Sequence, residues 1–362
     1  MTEFNELSEL QENILFSKQP VQFIQAAAAA GKTRLLCEKV RQSINQGKVT
    51  VAFTFTNMAA EEMRQRLGVE NNNQIFIGTI HAYCAKLLAM RRVKEARAAI
   101  EKEQFDKLFP LAQKYIAPNP PVIDICLCDE AQDSNLAQLK FMFDILHARE
   151  YFIMYDTRQS IYRWAGAQPS LLEDYAKKLN ATKFSLNENY RNHSEILDFA
   201  RTLLDGNTPN DDSISMRGEG GRVKFLSYSP EMVLTYVRSA GDWRDWAILA
   251  RTNSQVELIS EVLAKAKIPY DTFKQGDLTK EQLTKKMEAN TVKVLTVHAA
   301  KGLEWRFCIA TGMRASDIEE CCIAYVAATR AKDGLVWMSA PRKVYQKKKK
   351  TYTFDDSDLM KW

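Results

Sequence analysis

Two short stretches of this chain carry residue types whose spacing suits phosphate chemistry. In FIQAAAAAGKTR, the apolar run Val21–Ala26 leads into Gly31-Lys32-Thr33, and a helix-forming stretch follows at once. A phosphate-binding loop needs this order of strand, loop and helix start. Backbone N–H groups of Ala28, Ala29, Ala30 and Gly31 cradle the anion, Lys32 neutralises it, and the Thr33 hydroxyl can ligate Mg²⁺. Taken alone, Gly-Lys-Thr also fits an ordinary alanine-rich helix start. The second stretch narrows the choice. The apolar run Ile125–Leu127 ends in Asp129-Glu130-Ala131-Gln132-Asp133. A carboxylate at such a strand tip holds Mg²⁺ through water, and the next one can orient an attacking water. Asp133 by itself would equally suit the N-terminal dipole of a helix.

These residues need a scaffold that aims strand ends and helix starts at one place. Short apolar, β-branched runs fall at Val21–Ala26, Val49–Phe55, Gln74–Gly78, Asp124–Asp129, Tyr151–Asp156 and Thr182–Leu186. A second series follows at Arg222–Tyr228, Trp246–Arg251, Val292–Val297, Phe307–Gly312 and Gly334–Ala340. Amphipathic helical stretches alternate with them, among others Thr33–Asn45, Ala59–Leu67, Asn135–His147, Ser254–Lys267 and Ile318–Lys332. That alternation predicts an α/β fold with mainly parallel sheets. A domain change near Leu186 divides the strands into two comparable sets, 1–185 and 186–341, and leaves the polar stretch Gly206–Gly221 as a loop inside the second. The run Arg342–Lys350 and the residues after it, 342–362 in all, read as a solvated basic and acidic tail, and as a candidate surface for a protein partner.

Composition bounds the rest. The 362 residues are 46% apolar and 26% charged, ordinary for a globular chain of two or three domains. No run of about 18 apolar residues predicts a membrane span, and the start of the chain lacks signal-peptide order. The expectation is a cytoplasmic or nucleoid-associated protein, or one working in a viral host cell, with no membrane partner. Seven cysteines without CxxC spacing argue against a zinc ribbon and suit a reducing compartment. The formal charge of +5 permits a polyanionic partner without demanding one.

Beyond the acidic block, the chain resembles the UvrD/PcrA/Rep-type helicases of superfamily 1. Thr54–Met63 reads TFTNMAAEEM, Gly78–His81 GTIH, Asp156–Ala167 DTRQSIYRWAGA and Leu186–Arg191 LNENYR. Trp246–Asn253 reads WAILARTN, Val292–Trp305 VKVLTVHAAKGLEW and Tyr325–Ala331 YVAATRA, so the matched blocks span most of the chain in the family's order. The resemblance implies two RecA-like P-loop NTPase domains with an ATP cleft between them, and an ATP- and Mg²⁺-dependent motor on single-stranded DNA, moving 3′ to 5′, that also engages a duplex junction. It further implies roles for individual residues. Lys32, Glu130, Gln159, Arg191 and Arg330 would be catalytic, the last two as arginine fingers. Thr33 and Asp129 would hold the metal. Gln11 would read the adenine edge, Arg34 and Tyr190 would sandwich the ring, and Glu304 would meet the ribose. Phe55, Thr79, His81, Trp164, Arg251, Asn253, Thr296 and His298 would line the strand groove.

The chain also departs from the family's pattern. Relatives usually carry glycine at the positions of Ala27 and Ala29, lysine at Met58 and arginine at Ala165. If Ala29 must take a positive φ, the cost is about 1 kcal/mol. About 48 positions separate His81 from Asp129, room for a small helical insertion at roughly 82–118. About 22 separate Tyr270 from Val292, room for one short helix near Thr279–Ala289. Full-size relatives place a substantial helical domain in each gap. Three readings therefore stand side by side: a translocating helicase, a translocase that remodels protein–DNA complexes or needs a partner to unwind, and a nucleic-acid-binding module that no longer hydrolyses ATP.

Overall fold

The computed structural model describes residues 6–204, 206, 211–274, 278–314 and 316–338. The chain divides into two compact units, Met1–Asn187 and Glu188–Trp362. The proposed tail at 342–362, and Ser339 and Ala340 of the last expected strand, lie outside the described residues.

The first unit is built on six parallel strands: β1 (Val21–Ala26), β2 (Thr50–Phe53), β3 (Ile75–Gly78), β4 (Ile125–Cys128), β5 (Glu150–Tyr155) and β6 (Thr182–Leu186). Their order across the sheet is β3-β2-β4-β5-β1-β6. Alternate side chains serve two cores, as a strand's period of two requires. Phe23, Val51, Phe53, Cys126, Cys128, Ile153 and Tyr155 pack under the helices Ile80–Met90, Leu108–Tyr115 and Ser170–Lys178. Ile24, Ala52, Ile125, Leu127, Phe152 and Met154 pack under Glu9–Leu15, Lys32–Asn45 and Asn57–Leu67. Cover on both faces explains why the inner strands β2, β4 and β5 read as nearly continuous apolar runs, whereas the edge strand β6 does not. The helix expected over Asn135–His147 is instead an α-helix, Leu136–Lys140, that runs into a π turn, Phe141–Ile145. The wider turn buries Phe141, Met142, Phe143 and Ile145.

The second unit opens with a two-residue parallel pair, β7 (Glu188–Asn189) and β8 (Ile214–Ser215). β9 (Arg222–Leu226), β10 (Trp246–Ala250), β11 (Tyr270–Asp271), β12 (Val292–Thr296), β13 (Trp305–Thr311) and β14 (Ala331–Met338) form another parallel sheet, in the order β11-β12-β10-β13-β14-β9. The three two-residue strands carry no readable periodicity, and β8 falls inside the stretch expected to be loop. The expected helix Ile318–Lys332 stops at Ala328, and the chain turns directly into β14. Side chains enforce that stop. Thr329 Oγ1 donates to the carbonyls of Tyr325 and Val326, Arg330 Nε donates to Val326 O, and Asn192 Nδ2 bridges the carbonyls of Thr329 and Ala331. All seven cysteines are buried, and none forms a disulfide. Among the described residues no helix is long and apolar enough to cross a membrane.

Candidate nucleotide and strand site

In a parallel sheet every strand delivers its following loop to the same edge, where open α/β folds bind ligands. In the first unit the phosphate loop follows β1, the acidic pair follows β4, and Asp156–Gln159 follows β5. Phe55 comes two residues after β2, and Thr79 and His81 directly follow β3.

The loop after β1 is held in a left-handed turn. Gly31 has φ of 76° and caps the helix Lys32–Asn45, while Ala29 has φ of 55°. A Cβ at position 31 would also lie 2.8 Å from Gln11 Nε2, so the Gln11 amide would have to shift. Gln11 is buried against this turn. Its Nε2 donates to Ala30 O at 3.1 Å, and its Oε1 accepts from Ser8 N in a capping box. Lys32, also buried, donates to the carbonyls of Ala26 (3.3 Å) and Ala27 (3.2 Å), with Glu130 Oε1 at 3.7 Å. The ammonium thus sits between the loop and the acidic pair. Arg34 is half-buried in the first turn of the same helix.

Thr33 Oγ1 donates to Asp129 Oδ2 at 3.4 Å. Two oxygens that far apart suit adjacent positions around Mg²⁺, whose bonds of about 2.1 Å at right angles put ligands roughly 3 Å apart. Burial, then the Glu130 carboxylate, push Asp129 up to about 6, with Lys32 pulling the other way. A dication is the natural partner for such a crowded buried carboxylate. The donor set therefore fits the metal.

One residue in this site received no role from the sequence. Gln132 is fully buried; its Nε2 donates to Glu130 Oε2 at 2.6 Å and its Oε1 accepts from Asp156 N at 2.9 Å. Asp156 Oδ2 in turn accepts from Gln159 Nε2 at 2.7 Å, and Asp156 Oδ1 from Arg158 Nε at 2.7 Å. A continuous hydrogen-bonded line thus runs from Glu130 to Gln159, and an amide residue within the acidic block was its only sequence signal.

Beside the acidic pair lies a pocket of about 100 Å³, lined by Phe55, Thr79, Ile80, His81, Asp129 and Glu130 among others. Thr79 caps its helix through Ala82 N, and burial lowers the His81 pKa despite Asp106. The His81 ring packs on Phe109 at 4.9 Å. Phe55 continues into an aromatic row, 4.7 Å from Tyr162, which stands 6.4 Å from Trp164. Trp164 is 72% exposed and thus no core residue. Tyr162 was not singled out in the sequence.

The second unit groups its candidates in two places. Arg251 and Asn253 follow β10, Thr296 ends β12 and His298 follows it; the two strands are parallel neighbours, with Ala250 beside Thr296. Asn253 is exposed, His298 is half-buried, Thr296 Oγ1 accepts from Ala299 N, and Arg251 is paired with Glu320. Elsewhere, Arg191 Nε donates to Glu304 Oε2 at 2.6 Å and Nη1 to Thr329 O at 3.1 Å. Burial works to raise the Glu304 carboxyl, yet Arg191 and Lys332 hold it down to about 2. Arg330 is buried, donating to Val326 O and Leu303 O. Tyr190 is half-buried, its hydroxyl on Glu188.

The Ala29 backbone gives a direct test. Ala29→Gly should relieve left-handed strain of about 1–2 kcal/mol, partly offset by the greater freedom of glycine in the unfolded chain. The expected result in urea unfolding is a net gain of up to about 1 kcal/mol. A comparable loss would mean that Ala29 bears no strain.

The description "UvrD/REP helicase N-terminal domain" matches residues 7–114 and 104–180, and "UvrD-like helicase C-terminal domain" matches residues 184–287 and 274–342. Among curated relatives, the ATP-dependent DNA helicase Rep of Escherichia coli is 25% identical over 68% of this chain and 52% of its own length. The ATP-dependent DNA helicase PcrA of Bacillus subtilis is 24% identical over 73% and 50%, and a probable DNA helicase II homolog of Mycoplasma capricolum is 23% identical over 71% and 50%. The chain thus spans about half the length of the curated relatives it matches. With two parallel α/β units, a phosphate loop after β1 and a DEAQD acidic tip after β4, the chain belongs to the UvrD-like helicase family.

Proposed function

We propose that this chain is an ATP-hydrolysing motor that translocates on single-stranded DNA, 3′ to 5′, and separates duplex weakly by itself. One observation carries the reading: Asp129 and Glu130 share a pocket wall with Phe55, Thr79 and His81. Nucleotide chemistry and strand grip then meet at one point, so a change at the acidic pair is felt by the strand.

In this reading Lys32 neutralises the β- and γ-phosphates, and Thr33 and Asp129 hold Mg²⁺, which supplies charge neutralisation on the phosphate oxygens. Glu130, fixed by Gln132, orients the attacking water. Gln159 senses the γ-phosphate through Asp156, and Arg191 and Arg330 steady charge on the transferring group. Gln11, Arg34, Tyr190 and Glu304 serve the nucleoside. Phe55, Tyr162 and Trp164 offer faces on which bases stack without regard to sequence. Arg251, Asn253, Thr296 and His298 contact the strand from the second unit. A role for the tail at 342–362 in recruiting a protein partner belongs to the same proposal.

A second observation favours the translocase over the strong helicase. Between Asp271 and Val292 the described residues hold a single helix, Lys280–Glu288. Moving along a strand needs only alternating grip. Opening a duplex must also overcome stacking of about 1.4 kcal/mol per base-pair step.

Three measurements test this. Lys32→Ala should abolish ATP hydrolysis yet retain nucleotide-free binding to single-stranded DNA, and turnover at the parental rate would show the site misassigned. Trp164→Ala should weaken single-strand binding by roughly 1–3 kcal/mol and lower DNA stimulation of hydrolysis; unchanged affinity would remove Trp164 from the strand path. Finally, the isolated chain should displace a protein block from a single strand more readily than it opens a 3′-tailed duplex. Processive unwinding of long duplexes would overturn that ranking.

A further inference from the structure

Arg251, a proposed strand contact, directly follows β10, yet its guanidinium is already engaged. Nε donates to both carboxylate oxygens of Glu320 at 3.0 Å, and Nη2 donates to Oε1 at 2.6 Å. Paired, charge-assisted contacts of this kind are short and strong, and partial burial of both side chains shields them from salt. Asp317 and Glu319 add negative potential at the same guanidinium. The main chain is fixed as well, with Gln255 Oε1 accepting from Arg251 N and Thr252 N. An arginine so neutralised attracts a phosphate poorly until its carboxylate partner withdraws.

Glu320 lies in the first turn of the helix Ile318–Ala328, whose residues from Cys321 to Ala328 are all buried. Such a helix, about 16 Å long, moves as a rod. Its far end leads through Thr329 to Arg330, and the Thr329 carbonyl accepts from Arg191. One rigid element therefore carries the Arg251 partner at one end and, just past its other end, Arg330 and the Thr329 carbonyl on which Arg191 rests.

We infer that Glu320 competes with a strand phosphate for Arg251, so that the position of the helix Ile318–Ala328 sets how tightly the second unit grips DNA. The inference rests on the motor reading above and adds to it a positioning residue. When Arg191 and Arg330 engage an anion and shift the helix, Glu320 moves with it, and Arg251 gains or loses its competitor. The nucleotide state then reaches the strand through a salt bridge rather than through a change in the sheet.

The test is binding of a fluorescently labelled single-stranded oligonucleotide to the full chain, without nucleotide, over a range of salt concentrations. Glu320→Gln should bind several-fold tighter. Its affinity should also fall more steeply with salt, by about 0.7 in the log–log slope, as one added phosphate contact requires. Glu320→Asp keeps the charge and the acidic helix start but shortens the reach, and should give a smaller tightening. In an Arg251→Ala background, Glu320→Gln should change nothing. With a non-hydrolysable ATP analogue, the affinity difference between nucleotide-free and analogue-bound protein should shrink in Glu320→Gln. If Arg251→Ala weakens binding but Glu320→Gln leaves it unchanged or weakens it, Glu320 only orients Arg251 and the inference is overturned. If Glu320→Gln tightens binding just as much in the Arg251→Ala background, it is the strand role of Arg251 that fails.

Discussion

The parallel register of β1 between β5 and β6 is the constraint on which the first unit's chemistry depends. Ile24 beside Met154, and Gln25 beside Tyr155 and Ser185, bring the end of β1 level with the end of β5. β4 follows on the other side of β5, with Cys128 beside Ile153. A shift of one residue would turn Ile24, Leu127 and Phe152 away from their core and expose them, so hydrophobic burial fixes the register. Lys32, Asp129 and Gln159 come to one edge of the sheet because three strands end together, not because their sequences attract one another.

Two residues accept backbone strain at that edge. Ala29 and Glu130 both sit in the left-handed region without being glycine, at φ of 55° and 51°. Each costs on the order of 1–2 kcal/mol and persists because its surroundings over-determine it. Ala27, Ala28 and Ala30 are buried around Ala29, and Glu130 is tied to Gln132 and Lys32. Small buried alanines fill a loop that glycines would leave more open. The turn keeps its shape at the expense of strain.

The charged groups proposed for function are held by one another. Lys32 lies against carbonyls and Glu130, Arg191 against Glu304, Arg251 against Glu320, and Arg330 against two carbonyls. Buried charge demands such pairing. A ligand reaching any of these groups exchanges one partner for another, so binding is linked to rearrangement of neighbours. Gln132 belongs to the same economy: it joins Glu130 to Asp156 because a buried amide must satisfy both its ends.

The order of apolar runs and the GKT and DEAQD spacings were enough, without coordinates, to predict alternating α/β elements, phosphate chemistry and a family resemblance. Val21–Ala26 was legible to the residue, since an apolar run bounded by turn residues marks a buried strand, and so was the half-exposed edge strand Thr182–Leu186. Periodicity could not report what depends on distant partners. The early end of the helix at Ala328 is set by Asn192 from across the unit, and the π turn Phe141–Ile145 by the shape of the core above it. The line through Gln132, the row from Phe55 through Tyr162 to Trp164, and the hold of Glu320 on Arg251 join residues that lie far apart in the chain or whose pairing local pattern does not encode. A sequence sets which groups can pair. Only the packed sheets, by fixing which strand ends and helix starts come within hydrogen-bond reach, decided which of them do.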